Sequence, residues 1–387
     1  MAVEEEENSM CVKNDNYQKG RAWIELNMEN LAHNARQFQK LLPDCCTLMP
    51  AVKANAYGHG VKRVGKVLSE MGISDYCVAS VTEAVKLRQS GIKGQILILG
   101  YTPPCQFHEL VQYRLTQTVV DLPYARLLND YGHPVCVHVG IDTGMHRLGV
   151  RSEEIDHICA VWELEHLKIT GVYSHLCASD GNSEKEIAFT RKQIAEFQAV
   201  VDALHRRGIR GFRTHLQGSY GVLNYPELEF DYARVGIALY GVLSMPGERI
   251  AAEVELRPVL SLKARVTCVK VLHENEAAGY GLAFKAERDM VIAVVSIGYA
   301  DGIPRELSNK GYALVNGCWA NVIGRVCMDQ LLLDVTGIPE VHAGDEVVFI
   351  GRSGGKEIQA CEMAGSAGTI SNEILSRLGE RLGRVYV

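Results

Sequence analysis

Between about Arg21 and Val242, short apolar runs alternate with segments whose apolar residues recur every three or four positions. The pattern begins at Ala22–Leu26 (AWIEL), which reads as a strand. Asn27 then caps a helix whose Leu31, Ala35, Phe38 and Leu42 share one face. Eight further apolar runs follow, at Thr47–Lys53, Tyr76–Ser80, Ile96–Leu99, Gln117–Val120, Val135–Val139, Ile169–Ser174, Phe212–Leu216 and Tyr232–Val235. Helical patterns separate them, with a shorter connection before the last. In one of these, Ser183 and Glu186 make a capping box ahead of Ile187, Ile194, Phe197, Val201 and Leu204. Strands that alternate with helices pair in parallel, so eight such units predict an α/β chain built on a (β/α)8 TIM-like barrel. On pattern alone an open doubly wound sheet is the alternative.

Beyond Gly241 helical periodicity gives way to β-rich runs at Val259–Leu272, Val291–Ile297, Tyr312–Val315, Asn321–Arg325, Leu331–Val335 and Glu346–Ile350. Asn316-Gly317 between two of these regions is a hairpin signal. The expected organisation is a tail or linker over residues 1–20, a barrel over 21–244 and a mostly β domain over 245–387. The strand 22–26 belongs to either domain.

Composition narrows the classes of function. With 387 residues, 47% of them hydrophobic, the chain can bury two cores. A net charge of −6 without a basic cluster argues against nucleic acid and anionic membrane surfaces. The twelve cysteines are irregularly spaced and include no C-x-x-C pair, which suits thiols in a reducing, cytoplasmic compartment. No ligand spacing for zinc or iron occurs, so no metal is expected. No apolar run approaches the ~20 residues that span a bilayer. The like-charge block Glu4–Glu7 and the polar stretch after it suit a solvated tail or linker.

Barrel enzymes carry their chemistry at the C-terminal ends of the strands. The first barrel strand ends in Val52-Lys53-Ala-Asn-Ala-Tyr57-Gly-His-Gly60. An amine delivered into a barrel mouth loses water, which favours its neutral form, the form that condenses with carbonyl groups. A lone lysine there could equally snorkel to solvent. The whole string, however, resembles the cofactor-attachment signature of alanine racemases. The resemblance implies a pyridoxal 5′-phosphate enzyme with the cofactor on Lys53 and its phosphate held partly by Tyr57.

Further motifs extend the likeness from Arg21 to Val387. Arg234-Val-Gly236-Ile237-Ala-Leu-Tyr-Gly241 is similar to the family's R-x-G-I-x-x-Y-G, which puts Arg234 on the pyridine nitrogen and the Gly236–Ile237 backbone on the phosphate. An arginine does not give up its proton, so the nitrogen it faces stays unprotonated and the carbanion is only weakly stabilised. Ser219 stands where the family has its phosphate-binding serine, although Gly218 replaces the usual Asn. His175 resembles the histidine beside the ring.

Inversion of a planar carbanion needs a second acid/base on the opposite face. Tyr280, in Ala278-Gly-Tyr280-Gly281, resembles the tyrosine that the family supplies from the other subunit of a homodimer; apart from the likeness it reads as a turn residue. Tyr299 and Met328, in Ile297-Gly-Tyr299-Ala-Asp-Gly and Gly324-Arg-Val-Cys-Met328-Asp-Gln, then line the substrate side near the carboxylate. Arg147 is implied as a substrate-binding group that also tunes the tyrosine.

Two departures matter. Gly140 replaces a lysine that many alanine racemases carbamylate to position the arginine matching Arg147; a chloride, a water or another acidic side chain could take its place. Asn372 replaces the tyrosine that closes the small substrate pocket. A short amide opens volume and offers a donor and an acceptor to a serine hydroxyl. The combination resembles the racemase half of the serine/alanine racemases of vancomycin-resistance clusters, which carry a membrane domain ahead of it. Serine and alanine are therefore the expected substrates, supplying D-amino acids for peptidoglycan precursors. The alternatives are a housekeeping alanine racemase and a pyridoxal-phosphate decarboxylase of the same architecture.

Overall fold

The computed structural model describes residues 19–248 and 250–387; the acidic block at Glu4–Glu7 lies outside them. The eight apolar runs form eight parallel strands, Thr47–Leu48, Tyr76–Val78, Ile96–Ile98, Thr116–Val119, Val135–Asp142, Leu167–Tyr173, Arg213–His215 and Tyr232–Ala233. Each pairs with its neighbour in sequence, and the last returns to the first with Tyr232 beside Thr47. A bridge between Ala51 and Cys77 joins the first strand to the second. The sheet is thus a closed barrel, which excludes the open doubly wound arrangement.

The helices around it follow their sequence signals. The Asn27 side chain accepts from Asn30 N at 2.9 Å and starts the helix Met28–Leu41, which buries Leu31, Ala35 and Phe38. Ser183 and Glu186 close the anticipated capping box on the helix Glu184–Arg206.

Ala22–Leu26 lies in the second sheet. It pairs antiparallel with Leu260–Leu272 and parallel with Gly383–Tyr386. Leu260–Leu272 continues along that same edge to pair with Met290–Val295 and pairs on its other side with Glu346–Ser353, which curls this sheet into a ring. Asn316-Gly317 turns the hairpin between Tyr312–Val315 and Cys318–Ile323 with both residues at positive φ, as a type I′ turn requires. Two short helices, Ala360–Ala367 and Ser371–Ser376, interrupt the otherwise β character of this half. They are too short to show a periodic apolar stripe. Gly368, at φ 71°, ends the first and turns the chain into the second, which carries Asn372. One continuous apolar core runs from the barrel helices into the β sheet, so the second domain is packed against the first.

Candidate active site

The site begins with a local irregularity. Directly after Lys53 the backbone makes a left-handed turn, with Ala54, Asn55, Ala56 and Tyr57 at φ 51°, 55°, 56° and 50°. Each non-glycine residue in that region costs about 1–2 kcal/mol, so the turn persists only because its surroundings enforce it. Glu83 accepts from Ala54 N at 2.6 Å and from Ala79 N at 2.8 Å. The Asn55 side chain accepts from Val61 N at 2.9 Å, and Arg384 donates to the Gly58 carbonyl at 3.0 Å. His59, fully buried, lies with Nδ1 against the carbonyls of Ala56 and Tyr57 and stacks on Tyr240 at 4.4 Å. A side chain at Gly58 would drive its Cβ to 2.2 Å from the Leu375 carbonyl oxygen. The turn folds Tyr57 back over the barrel, so Tyr57 and Lys53 face one cavity of about 490 Å³.

The barrel residues singled out in the sequence meet in that cavity. Lys53, Tyr57, Arg147, His175, Ser219, Arg234, Gly236 and Ile237 line it, joined by Asn372 from the second domain. Tyr280, Tyr299 and Met328 do not; they are 71%, 43% and 51% exposed on the β domain.

Arg234 is held most firmly. Its guanidinium is buried and donates to the carbonyls of Ser174 (2.7 Å) and Leu216 (3.1 Å), to His215 Nδ1 (2.5 Å) and to His175 Nδ1 (3.3 Å). It also lies over the Tyr173 ring at 5.0 Å. Burial, followed by the nearby cations Arg234, Arg147 and Lys53, pushes the His175 pKa down to about 3, so this imidazole is neutral and can accept. Three cations face the mouth against two carboxylates, Asp142 and Asp180, and Asp142 is taken up by its own loop, so the mouth favours anions.

At the opposite wall Ser219 Oγ accepts from Gly236 N at 3.0 Å and from Ala238 N at 3.3 Å. Gly236 is required by space: a Cβ there would lie 2.7 Å from the Tyr57 hydroxyl. The missing side chain leaves a small cradle edged by backbone N–H, a serine hydroxyl and a phenol, the donor set a phosphate monoester takes. Burial raises the Tyr57 pKa, so the phenol keeps its proton and can donate.

The Arg147 loop is anchored by Asp142. One carboxylate oxygen accepts from Gly144 N at 3.0 Å and His146 N at 2.9 Å, and the other lies 2.9 Å from His146 Nδ1. Partial burial works against the charge, but these donors outweigh it and hold the carboxyl below its ordinary range. At Gly140 a Cβ would meet the Val119 carbonyl oxygen at 3.2 Å, so the strand lies close where the family often has lysine. Asn372 Oδ1 accepts from Ser244 Oγ at 2.9 Å, and its amide N–H groups make no hydrogen bond among the described residues.

The exposed β-domain residues are also rigidly set. Tyr299 N donates to the Cys327 carbonyl and Ala300 N to the Met328 carbonyl, both at 3.0 Å. Buried Asp301 takes two bonds from Arg21, at 2.6 and 3.0 Å, and one from Gly298 N at 3.0 Å. Gly298 has no room for a side chain against the Cys327 and Met328 carbonyls. Sequence reasoning missed this clamp, the Ser244 partner of Asn372, and His215 and His138 inside the barrel. The two histidines were signalled faintly, as lone imidazoles within apolar strands.

The family model described as alanine racemase, N-terminal domain, matches residues 26–244, and the one described as alanine racemase, C-terminal domain, matches residues 259–386. The chain belongs to the alanine racemase family. Members of this family are pyridoxal-phosphate enzymes, and the cradle and cationic mouth fit that cofactor. An amino-acid racemase of Enterococcus faecalis is 44% identical over 94% of this chain and 51% of its own length. A serine/alanine racemase of Enterococcus gallinarum is 40% identical over the same shares. The chain therefore spans about half the length of these relatives. An alanine racemase of Carboxydothermus hydrogenoformans is 39% identical over 94% of this chain and 99% of its own. Among solved structures, the alanine racemase of Clostridium difficile 630 superposes with a TM-score of 0.87 at 33% identity, covering 95% of this chain and 96% of that one. Among the described residues no helix is long and apolar enough to cross a membrane.

Proposed function

We propose that this chain interconverts the L and D forms of serine and alanine, with pyridoxal phosphate held on Lys53 and with Lys53 and Tyr280 of a second copy as opposed bases. The observation that carries the reading is the convergence of Lys53, Tyr57, Ser219, Arg234 and Gly236 on one cavity in a chain of this family. When bound, the cofactor supplies an electron sink that acidifies the α-carbon of the amino acid.

The chain's own residues do the rest. Tyr57, Ser219 and the backbone N–H of Ile237 would hold the phosphate, joined by the Gly236 N–H once it leaves Ser219 Oγ, and His175 would stand beside the ring. Arg234, a permanent donor, would hold the ring nitrogen and leave it unprotonated, which would limit the sink and disfavour side reactions. Lys53 Nζ takes or returns the proton on one face, and Tyr280 Oη of the second copy serves the other. A phenol with an ordinary pKa of about 10 needs a cation beside it near neutrality. Arg147 is the candidate for that tuning and for the substrate carboxylate, which the partner's Tyr299 and the partner's Met328 backbone also approach. The Asn372 amide offers a serine hydroxyl the bonds an apolar pocket would deny it. The resemblance to serine/alanine racemases of resistance clusters supports a role in making D-amino acids for peptidoglycan precursors.

The test is to incubate the purified protein, supplied with pyridoxal phosphate, with single enantiomers of serine and alanine and to follow loss of optical rotation. Both amino acids should racemise, and Asn372→Tyr should cut serine turnover more than alanine turnover. Equal losses would remove the pocket reading, activity on alanine alone would favour a housekeeping alanine racemase, and carbon dioxide release a decarboxylase.

A further inference from the structure

Arg234 is a buried cation with no carboxylate against it among the described residues. Its closest side-chain partner is His215, whose ring continues away from the cavity into the barrel core. His215 Nε2 lies 2.8 Å from His138 Nδ1, and His138 Nε2 lies 2.6 Å from the side-chain amide nitrogen of Gln95. Gln95 immediately precedes the strand Ile96–Ile98, at the end of the barrel opposite the mouth. Both imidazoles are completely buried.

The fold makes room for this line. A Cβ at Gly171 would fall 2.6 Å from the His138 ring, and the pairing between the two neighbouring strands slips at His138. Tyr173 stacks on His215 with ring centroids 4.7 Å apart and planes 3° from parallel.

One end of the line decides its direction. Arginine only donates, so His215 Nδ1 must present its lone pair and carry its proton on Nε2. That proton goes to His138 Nδ1, which places the His138 proton on Nε2 as well. The Gln95 amide must then meet it with oxygen, a half-turn of a group whose two ends are sterically alike. Read from the glutamine with its nitrogen donating, every proton would reverse, and His215 would point N–H at the guanidinium across 2.5 Å. Only the first arrangement pairs every group. It also aligns both imidazole dipoles with their negative ends toward the cation.

We propose that His138 and Gln95 are positioning residues for Arg234, locking His215 in the tautomer whose Nδ1 lone pair holds the guanidinium at the cofactor's ring nitrogen. The role assigned to Arg234 rests on the functional reading above; the tautomer lock does not. Burial, then the charge of Arg234, lowers the pKa of both histidines, that of His138 to about 3, in keeping with neutral rings.

Nitrogen-15 NMR of histidine-labelled protein loaded with pyridoxal phosphate tests the lock directly. His138 and His215 should both be neutral with the proton on Nε2 across roughly pH 6–8. A proton on Nδ1 of either ring, or an imidazolium, overturns the proposal. His138→Leu removes the acceptor for His215 Nε2–H. It should move His215 toward the other tautomer, shift the cofactor's visible absorption, and lower kcat roughly tenfold while KM changes less than about twofold. His138→Gln, whose amide oxygen can take the same proton, should restore all three. A leucine variant indistinguishable from wild type, or a glutamine variant that restores none of the three, overturns the proposal. If the leucine variant does not fold, the wild-type tautomers and the glutamine variant decide. Wild-type protein that takes up no cofactor counts against the functional reading, and the tautomers in that sample still decide the lock.

Discussion

Gly236 shows how an absent side chain shapes the cavity. The requirement there is space, since the Tyr57 phenol lies where a side chain would begin. Gly236→Ala would press a methyl against the Tyr57 hydroxyl, 2.7 Å away. Overpacking of this kind costs ~1–3 kcal/mol, so pyridoxal phosphate should bind the variant about tenfold or more weakly. Titration of cofactor-free protein with pyridoxal phosphate measures this, and an unchanged affinity contradicts it. At this scale the sequence was informative wherever motif and contact coincide, as at Lys53, Arg234 and Ser219. It was silent on the Ser244–Asn372 bond, which spans 128 residues and carries no local signature. It signalled His138 and His215 only faintly, because a histidine in an apolar strand does not show which way its ring turns.

Among the elements, the barrel strands and their capped helices were legible because period and caps are local properties. The left-handed turn at Ala54–Tyr57 was not, since alanine and tyrosine give no sign of a conformation they ordinarily avoid. It is imposed by tertiary contacts, Glu83 foremost. Glu83→Ala leaves Ala54 N and Ala79 N without their carboxylate and should destabilise the protein by ~1.5–3 kcal/mol. Chemical denaturation should show the loss together with slower uptake of pyridoxal phosphate. A change within about 0.5 kcal/mol, the range of ordinary surface substitutions, would remove Glu83 from this role. The helices at Ala360–Ala367 and Ser371–Ser376 escaped sequence reading because neither has enough turns to declare a face, yet they bring Asn372 to the barrel mouth.

Taken as a whole, the molecule buries several imidazoles in neutral form. Burial lowers His59 to about 4 and His138 and His175 to about 3, with His215 also well below its ordinary value. Below about pH 6.5 the unfolded chain takes up protons that the folded chain refuses. Stability is therefore full above that pH and declines as pH falls, by up to ~1.4 kcal/mol per pH unit for each such histidine. The melting temperature should be lower at about pH 5.5 than at about pH 7.5. A flat or rising profile on acidification would mean these rings accept protons in the fold.

The other feature at this scale is the separation of Tyr280, Tyr299 and Met328 from the cavity of their own chain. The proposed site is whole only when a second copy brings them. Mixing Lys53→Ala chains with Tyr280→Phe chains tests that claim most directly. In a mixed dimer one site lacks both bases, while the other pairs an intact Lys53 with an intact Tyr280. Random exchange makes half the dimers mixed, so racemase activity should recover to about a quarter of wild type although each variant alone is inactive. Recovery no greater than the two separate variants would contradict a site shared between Lys53 and Tyr280.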